Sequence, residues 1–127
     1  MSNKFTAEEV KEILLNEGGY RNVTVINEEL IVLKVDGQIY FLMLYPDGDI
    51  QMIYRIHNND APFSLDKINS CNARYRVGTL YRDEDDENTL SIQVTLLGGA
   101  LEEIHVINGI EKLQRFVSVI DIGDLSD

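Results

Sequence analysis

The chain has 127 residues, of which 44% are hydrophobic, so it is ordinarily one domain with enough apolar side chains to build a core. It contains 22 acidic and 11 basic residues, its formal net charge is −11 at pH 7, and its pI is near 4.5. This excess of carboxylates argues against general binding to nucleic acids or anionic membrane surfaces, because both require a surplus of Lys and Arg.

The cysteine content and the N-terminus indicate a cytoplasmic protein. Cys71 is the only cysteine, so neither an intrachain disulfide nor a cysteine-based zinc site can form. It is in helical phase with Leu65 and Ile68, which predicts a buried structural thiol rather than a nucleophile. The N-terminal residues lack the apolar stretch of a signal peptide. The longest apolar run, Ile39 to Tyr45, is too short to span a bilayer, which takes roughly 20 residues in a helix.

The chain begins with a predicted helix. Thr6 and Glu9 have the spacing of a capping box, in which the hydroxyl and the carboxylate each bind a free backbone N–H group. Apolar residues then recur at helical spacing until Gly18-Gly19, and glycine is typical of a helix end. We therefore predict a helix from about Thr6 to Glu17.

A three-stranded antiparallel meander is predicted next. Asp36-Gly37 is typical of a two-residue hairpin turn, and Pro46-Asp47-Gly48 predicts a second turn. The polar residues Asn27-Glu28-Glu29 interrupt the first strand and indicate either a bulge or a tight turn. The predicted strands are Val23–Val35, Ile39–Tyr45 and Ile50–His57.

The second half of the chain adds two helices and two strands. A short helix is predicted from Ser64 to Asn72, followed by strands Arg74–Arg82 and Leu90–Leu96. The last helix runs from about Leu101 to Val119, and a frayed acidic tail occupies about 121–127. The apolar face of the last helix consists of Ile104, Ile107, Ile110, Leu113 and Val117, and Gly109 in its interior favours close packing on the sheet.

These elements predict a single α+β domain over residues 1–127. Its order is α-β-β-β-α-β-β-α, with a five-stranded antiparallel sheet and helices on one face.

No combination of residues predicts an active site. The acidic loop Asp83–Asn88 lacks the glycine of a calcium loop, and the twelfth position counted from Asp83 is Val94 rather than glutamate, so a hairpin tip is expected. His57 and His105 lie in separate elements without metal-ligand spacing. We predict a protein with no catalytic residues, no metal and no cofactor.

The polar face of the strand Arg74–Arg82 is the candidate interface. Its arginines Arg74, Arg76 and Arg82 can hold an acidic partner segment through bidentate contacts. Alternatively, they balance the protein's own carboxylates or protect an exposed strand edge. The candidate protein-binding residues are Arg74, Tyr75, Arg76, Tyr81 and Arg82.

The residues Asn72–Gly78, Leu80–Asp83 and Leu96–Gly99 resemble the YbjN-type bacterial family of sensory-transduction regulators, whose fold is like that of type III secretion chaperones. The resemblance implies a protein that binds other proteins and carries no catalytic residues. It also implies a homodimer that pairs the second helix with the following strand, here Ser64–Asn72 and Tyr75–Arg82. The chain departs from the family at Asp85-Asp86-Glu87-Asn88, where family members often carry a glycine.

Two functions follow as hypotheses. The first is a non-enzymatic protein-binding regulator or chaperone-like adaptor, in which apolar patches on the sheet or its edges receive a segment of a partner protein. The alternative is a small-ligand sensor with a pocket between the sheet and the last helix, lined by Tyr40, Met43 or Tyr54.

Overall fold

The computed structural model describes residues 4–126, which form three helices and one six-stranded antiparallel sheet. The helices are α1 (Ala7–Asn16), α2 (Leu65–Arg74) and α3 (Glu103–Val119), and a short 3₁₀ helix follows at Ile122–Leu125. The strands are β1 (Asn22–Asn27), β2 (Leu30–Val35), β3 (Gln38–Leu44), β4 (Ile50–His57), β5 (Thr79–Arg82) and β6 (Thr89–Leu96), and their order in the sheet is β1-β2-β3-β4-β6-β5.

The first helix begins with the predicted capping box. The Thr6 hydroxyl accepts a hydrogen bond from the Glu9 N–H at 3.1 Å, and the Glu9 carboxylate accepts one from the Thr6 N–H at 3.0 Å. The apolar residues Val10 and Leu14 are fully buried. Local capping and the apolar face therefore fix α1 as the sequence predicted.

The sheet has six strands rather than the predicted five, because the single strand Val23–Val35 is wrong. The chain reverses at Glu28-Glu29, so β1 and β2 pair with each other, and Asn27 lies opposite Leu30. The register also shifts between Val25 and Asn27, so the polar interruption contains both a tight turn and a bulge. The observed order is consequently α-β-β-β-β-α-β-β-α.

The turn between β2 and β3 is the predicted two-residue hairpin turn. Asp36 and Gly37 have φ values of 50° and 80°, the left-handed conformation that this kind of turn requires at both positions. The prediction of a hairpin at this point is confirmed.

The predicted strand Arg74–Arg82 is wrong over its first half. Helix α2 continues to Arg74, and the N–H of Tyr75 still donates to the carbonyl of Cys71 at 3.0 Å. Residues 75–78 form an irregular linker, and the strand starts only at Thr79. Arg74, Arg76 and Arg82 therefore do not share one strand face.

The core lies between the sheet and the helices α1 and α3. The interior of α3 packs closely at Gly109, where a Cβ atom would lie 3.0 Å from Met52 Sδ and 3.1 Å from Leu96 Cδ2, as the sequence predicted. Ile104 is 55% exposed, so its assignment to the apolar face is wrong, and Val106 and Phe116 extend the buried face instead.

The C-terminal segment packs against the fold, so the expectation of a frayed tail is wrong for residues 122–126. Leu125 is buried, and its carbonyl accepts a hydrogen bond from the Ser64 N–H at 2.7 Å. Phe63 and Ser126 form a β-bridge. Asp127 lies outside the described residues. Within residues 4–126, no helix has the length and apolar composition needed to cross a membrane.

Candidate protein-binding groove

Three of the five predicted interface residues, Arg74, Tyr81 and Arg82, lie apart from the other two. Arg82 is held at the far end of β5, where its guanidinium donates to the Phe63 carbonyl at 3.2 Å and lies 4.0 Å from the Glu87 carboxylate. Tyr81 is on the face of the sheet opposite to the buried Leu80. These contacts give Arg82 a structural role at the acidic hairpin.

Arg74 lies in a different depression, at the C-terminal end of α2. It is the last residue of α2 and lines a depression together with Asp66, Asp121 and Asp124. Within residues 4–126 none of these carboxylates is within 4.0 Å of the Arg74 guanidinium, so the role of Arg74 stays a prediction.

Tyr75 and Arg76 lie side by side against α3. The Tyr75 ring meets the Phe116 ring edge-on, with centroids 5.6 Å apart and planes at 64°. This contact forms the floor of a depression of about 430 Å³ between the linker 75–78 and the C-terminal half of α3. Its lining residues are Tyr75, Arg76, Val77, Lys112, Arg115, Phe116 and Val119.

A second depression of about 590 Å³ continues along α3 beside β6. It shares Val77 and Lys112 with the first, so the two form one elongated surface, which we name the α3 groove. The apolar lining residues of this second part are Val77, Val94, Leu96, Leu97, Ala100 and Leu101. Leu97 is 74% exposed, so the groove presents apolar surface to solvent.

The α3 groove is basic in an otherwise acidic protein. It is lined by Arg76, Lys112 and Arg115, and no carboxylate of residues 4–126 is among its lining residues. In the same part of the chain, none of these three cations has a carboxylate within 4.0 Å. For comparison, a depression beside α1 is lined by five glutamates, Glu8, Glu9, Glu12, Glu17 and Glu103.

The linker that forms one wall of the groove is fixed at both ends. The Asn72 side chain donates to the Leu80 carbonyl and accepts from the Leu80 N–H, both at 2.8 Å, which ties β5 to α2. Gly78 lies directly on β6, since a Cβ atom there would be 2.3 Å from the Gln93 carbonyl oxygen. These contacts hold Tyr75 and Arg76 at the side of α3.

Sequence reasoning missed the residues that α3 contributes to the groove. Lys112, Arg115 and Val119 follow one another at helical spacing on the exposed side of α3. That spacing is visible in the sequence and predicts a shared helix surface. Only the contact between Phe116 and Tyr75 shows that this surface faces Arg76.

Cys71 is a free, partly buried thiol in α2 that packs against the core. Ile68 is buried with it, but Leu65 is 50% exposed and does not belong to the same inner face as predicted. Burial raises the pKa of the Cys71 thiol, an effect only partly opposed by the nearby charge of Arg74. The thiolate is the nucleophilic form, so this environment favours the structural interpretation.

The acidic loop connects β5 and β6 as the predicted hairpin tip. The side-chain oxygens of Asp86 accept hydrogen bonds from the Thr89 hydroxyl and the Asn88 N–H, and these two bonds lower the pKa of the Asp86 carboxyl. His57 Nδ1 lies 3.2 Å from Asp86 and closes the same cluster. His105 is separate, and its Nδ1 accepts from the Glu102 N–H at the start of α3.

The residues expected to line a ligand pocket do not come together. Tyr40 is 1% exposed, and its ring centroid lies 5.2 Å from that of Tyr54 inside the core. Burial raises the pKa of Tyr40 to about 12. Met43 is on the opposite face of the sheet, three residues along the same strand. The sensor pocket predicted from these residues is therefore wrong.

The comparisons with known proteins agree with the architecture. No family model matches the chain, and no match is found among curated proteins. One similar structure is YbjN from E. coli, for which a role as a transcription regulator is proposed. It is 10% identical, with a TM-score of 0.66 over 87% of this chain and 84% of that chain. Another is the ExoT–SpcS complex from Pseudomonas aeruginosa, at 16% identity and a TM-score of 0.57 over 86% of this chain and 90% of that chain.

The fold is YbjN-like and chaperone-like. This fold confirms the resemblance to the YbjN-type family that the motifs around Arg74–Arg82 and Gly98-Gly99 indicated. The sheet has six strands rather than the predicted five. SpcS is a type III secretion chaperone, and this chain is similar in fold to the structure that contains it.

Proposed function

We propose that this protein is a non-enzymatic, chaperone-like adaptor that acts in the cytoplasm and binds a segment of a partner protein in the α3 groove. The observation that carries the proposal is the groove itself, which combines Arg76, Lys112 and Arg115 with exposed apolar side chains. The chaperone-like fold supports it, since the similar SpcS structure is a complex with ExoT. The lone cysteine is consistent with a reducing compartment.

The chemistry of the groove suits an acidic segment with apolar residues. Guanidinium groups such as those of Arg76 and Arg115 bind carboxylates through paired hydrogen bonds, and Lys112 adds a point charge. Val77 and Val119 are 49% and 59% exposed, so a partner that covers them removes apolar surface from water. Because the remaining surface of the protein is strongly acidic, an acidic partner is attracted to this groove and repelled elsewhere.

Reversing two charges in the groove tests this proposal. We expect the double variant Lys112→Glu, Arg115→Glu to bind its partner at least about tenfold more weakly, equivalent to about 1.4 kcal/mol, because carboxylates then face carboxylates. The measurement is affinity capture of the tagged protein from its own cytoplasm at two salt concentrations, with the captured proteins quantified by mass spectrometry. Wild-type capture should decrease as salt rises, because these charges are exposed to solvent.

The matched control is the double variant Arg21→Glu, Lys34→Glu, which changes the net charge equally at two exposed positions outside the groove. Its capture should stay close to that of the wild type. Equal losses in the two double variants would show that only net charge matters and would refute the groove as the binding site.

We further propose a homodimer that pairs α2 and β5 of two copies, as the family resemblance implies. Two features support it: β5 is an edge strand, and Leu65 on α2 is 50% exposed. Light scattering should give about twice the chain mass of 14.5 kDa, and Leu65→Asp should return it to the mass of one chain. Ile26→Asp, at an apolar residue of similar exposure (55%) on β1, is the control. A wild-type mass of one chain would contradict the dimer.

A further inference from the structure

The last three residues of β6, Val94 to Leu96, have no strand beside their outer edge. β5 pairs with β6 only from Leu90 to Gln93. The following residues Val94, Thr95 and Leu96 pair with β4 on their inner side, and β5 does not extend far enough to cover their outer side.

The backbone groups of Thr95 point toward this open side. Successive residues of an antiparallel strand direct their N–H and C=O groups alternately to one side and the other. Thr89 exchanges hydrogen bonds with Asp83 and Asp86, on the side away from β4, whereas the Asn88 carbonyl accepts from Asn58 on the β4 side. Every second residue after Thr89 directs its backbone N–H and C=O groups to the same side, so those of Gln93 and Thr95 point away from β4. The close approach of Gly78 to the Gln93 carbonyl oxygen agrees with this assignment.

The α3 groove runs along the same open edge. Thr95 and Leu97 line its apolar half, and Lys112 connects that half to the cluster of Arg76 and Arg115. A chain lying in the groove therefore meets unpaired backbone groups at one end and three cations at the other.

We infer that the α3 groove binds its partner as an extended acidic segment, which pairs as a strand with the free edge of β6 and places carboxylates on Arg76, Lys112 and Arg115. The N–H and C=O of Thr95 bind the segment backbone, and apolar side chains of the segment cover Leu96 and Leu97. This inference rests on the proposed function and specifies the conformation and charge of the partner.

The edge strands of the sheet are β5, to which we assign the dimer contact, and β1, whose residues Asn22–Asn27 include no Lys or Arg. α1 packs on β1, and the depression between α1 and the start of α3 is lined by five glutamates, which repel carboxylates from that side of α1. Because the three cations of the α3 groove lie beside β6, an acidic segment favours the β6 edge over the β1 edge.

Synthetic peptides provide the probe. Four ten-residue peptides are needed, all of which alternate valine with threonine. One carries two aspartates at its N-terminal end and a second carries them at its C-terminal end. Each has a control peptide with lysines in place of the aspartates. Fluorescence anisotropy should show an aspartate peptide binding at least about tenfold tighter than its lysine control. In ¹⁵N-labelled protein, the amide signals of Thr95 and Leu97 should shift and gain protection from hydrogen exchange.

The decisive variants are Thr95→Pro and Thr95→Val. Proline removes the outward N–H without removing a hydrogen bond to β4, so peptide affinity should decrease at least about tenfold. Valine keeps the N–H and the β-branched shape, so Thr95→Val should bind the peptide at least about fivefold more tightly than Thr95→Pro. Circular dichroism verifies that both variants fold. If Thr95→Pro does not fold, peptides N-methylated at every second residue remove the same hydrogen bonds without changing the protein.

The outcomes separate this inference from the proposed function. Equal peptide binding by Thr95→Pro and wild type, or signal changes on β1 instead of β6, would overturn the edge pairing. Capture of the natural partner through the groove by Thr95→Pro at the wild-type level would also overturn it and leave the proposed function standing. If the wild-type protein captured no partner, both the edge pairing and the proposed function would be contradicted.

Discussion

Replacing Gly78 with alanine is expected to destabilise the fold by about 3 kcal/mol. The added Cβ atom would lie 2.3 Å from the Gln93 carbonyl oxygen and 2.9 Å from two carbons of the Phe116 ring. The oxygen belongs to the backbone of β6, which is held between β4 and β5 and cannot easily move. The linker 75–78 must therefore shift outward, and Tyr75 loses its packing against Phe116. Urea denaturation of both proteins measures the difference in the free energy of unfolding.

Gly123→Ala is the matched control for this change. A Cβ atom at position 123 meets only Asp121 Oδ1 at 3.5 Å, an ordinary contact distance. Its effect should remain within about 0.5 kcal/mol, as for other surface substitutions. A similar loss of stability in both alanine variants would mean that the contact of Gly78 with β6 is not the cause.

Phe116→Ala should reduce both stability and partner binding. The side chain is 2% exposed, and truncating a buried phenylalanine to alanine typically costs about 3–5 kcal/mol through lost burial and the cavity left behind. Because the Phe116 ring also supports Tyr75, the groove loses its floor. Thermal unfolding measures the first effect, and capture of the partner at a temperature where the variant is folded measures the second.

Val119→Ala separates these two effects. Val119 lines the same groove but is 59% exposed, so its truncation removes contact surface for a partner and little of the core. We expect a stability change below about 0.5 kcal/mol together with weaker capture. If Phe116→Ala left capture unchanged at a temperature where it is folded, the floor of the groove would not contribute to binding.

The strand count shows how far periodicity can predict this sheet. With the bulge between Val25 and Asn27, Val23 lies opposite Leu33 and Val25 opposite Ile31, so odd-numbered residues of both strands face the helices. The alternation therefore continues unbroken through the turn at Glu28-Glu29. One long interrupted strand and a tight hairpin have the same pattern, and only the pairing of β1 with β2 distinguishes them.

The segment Arg74–Arg82 shows where local pattern misleads. Arginines alternate with Tyr75 and Val77 as they would in a strand with one polar face. However, the amide of Asn72 occupies the backbone groups of Leu80, and the Tyr75 ring packs on Phe116. These contacts involve residues outside the alternating pattern, so the pattern alone could not exclude a strand.

The candidate site was predictable only in part. Tyr75 and Arg76 were identified from their own chemistry, and both line the α3 groove. Lys112 and Arg115 are remote in sequence, and tertiary packing brings them beside Arg76. The sequence predicts which helix surface carries these two cations, but not which element it faces.

The uncovered stretch of β6 also bears on how the protein behaves in concentrated solution. An unpaired strand edge can pair with another molecule of any kind, including misplaced copies of the same chain. At neutral pH, the net charge of −11 per chain opposes non-specific association and so protects this edge by electrostatic repulsion. Near the pI of about 4.5 that repulsion disappears while the edge stays open, so precipitation should set in there. The acidity of the chain thus serves as the solubility device that allows an open edge to persist.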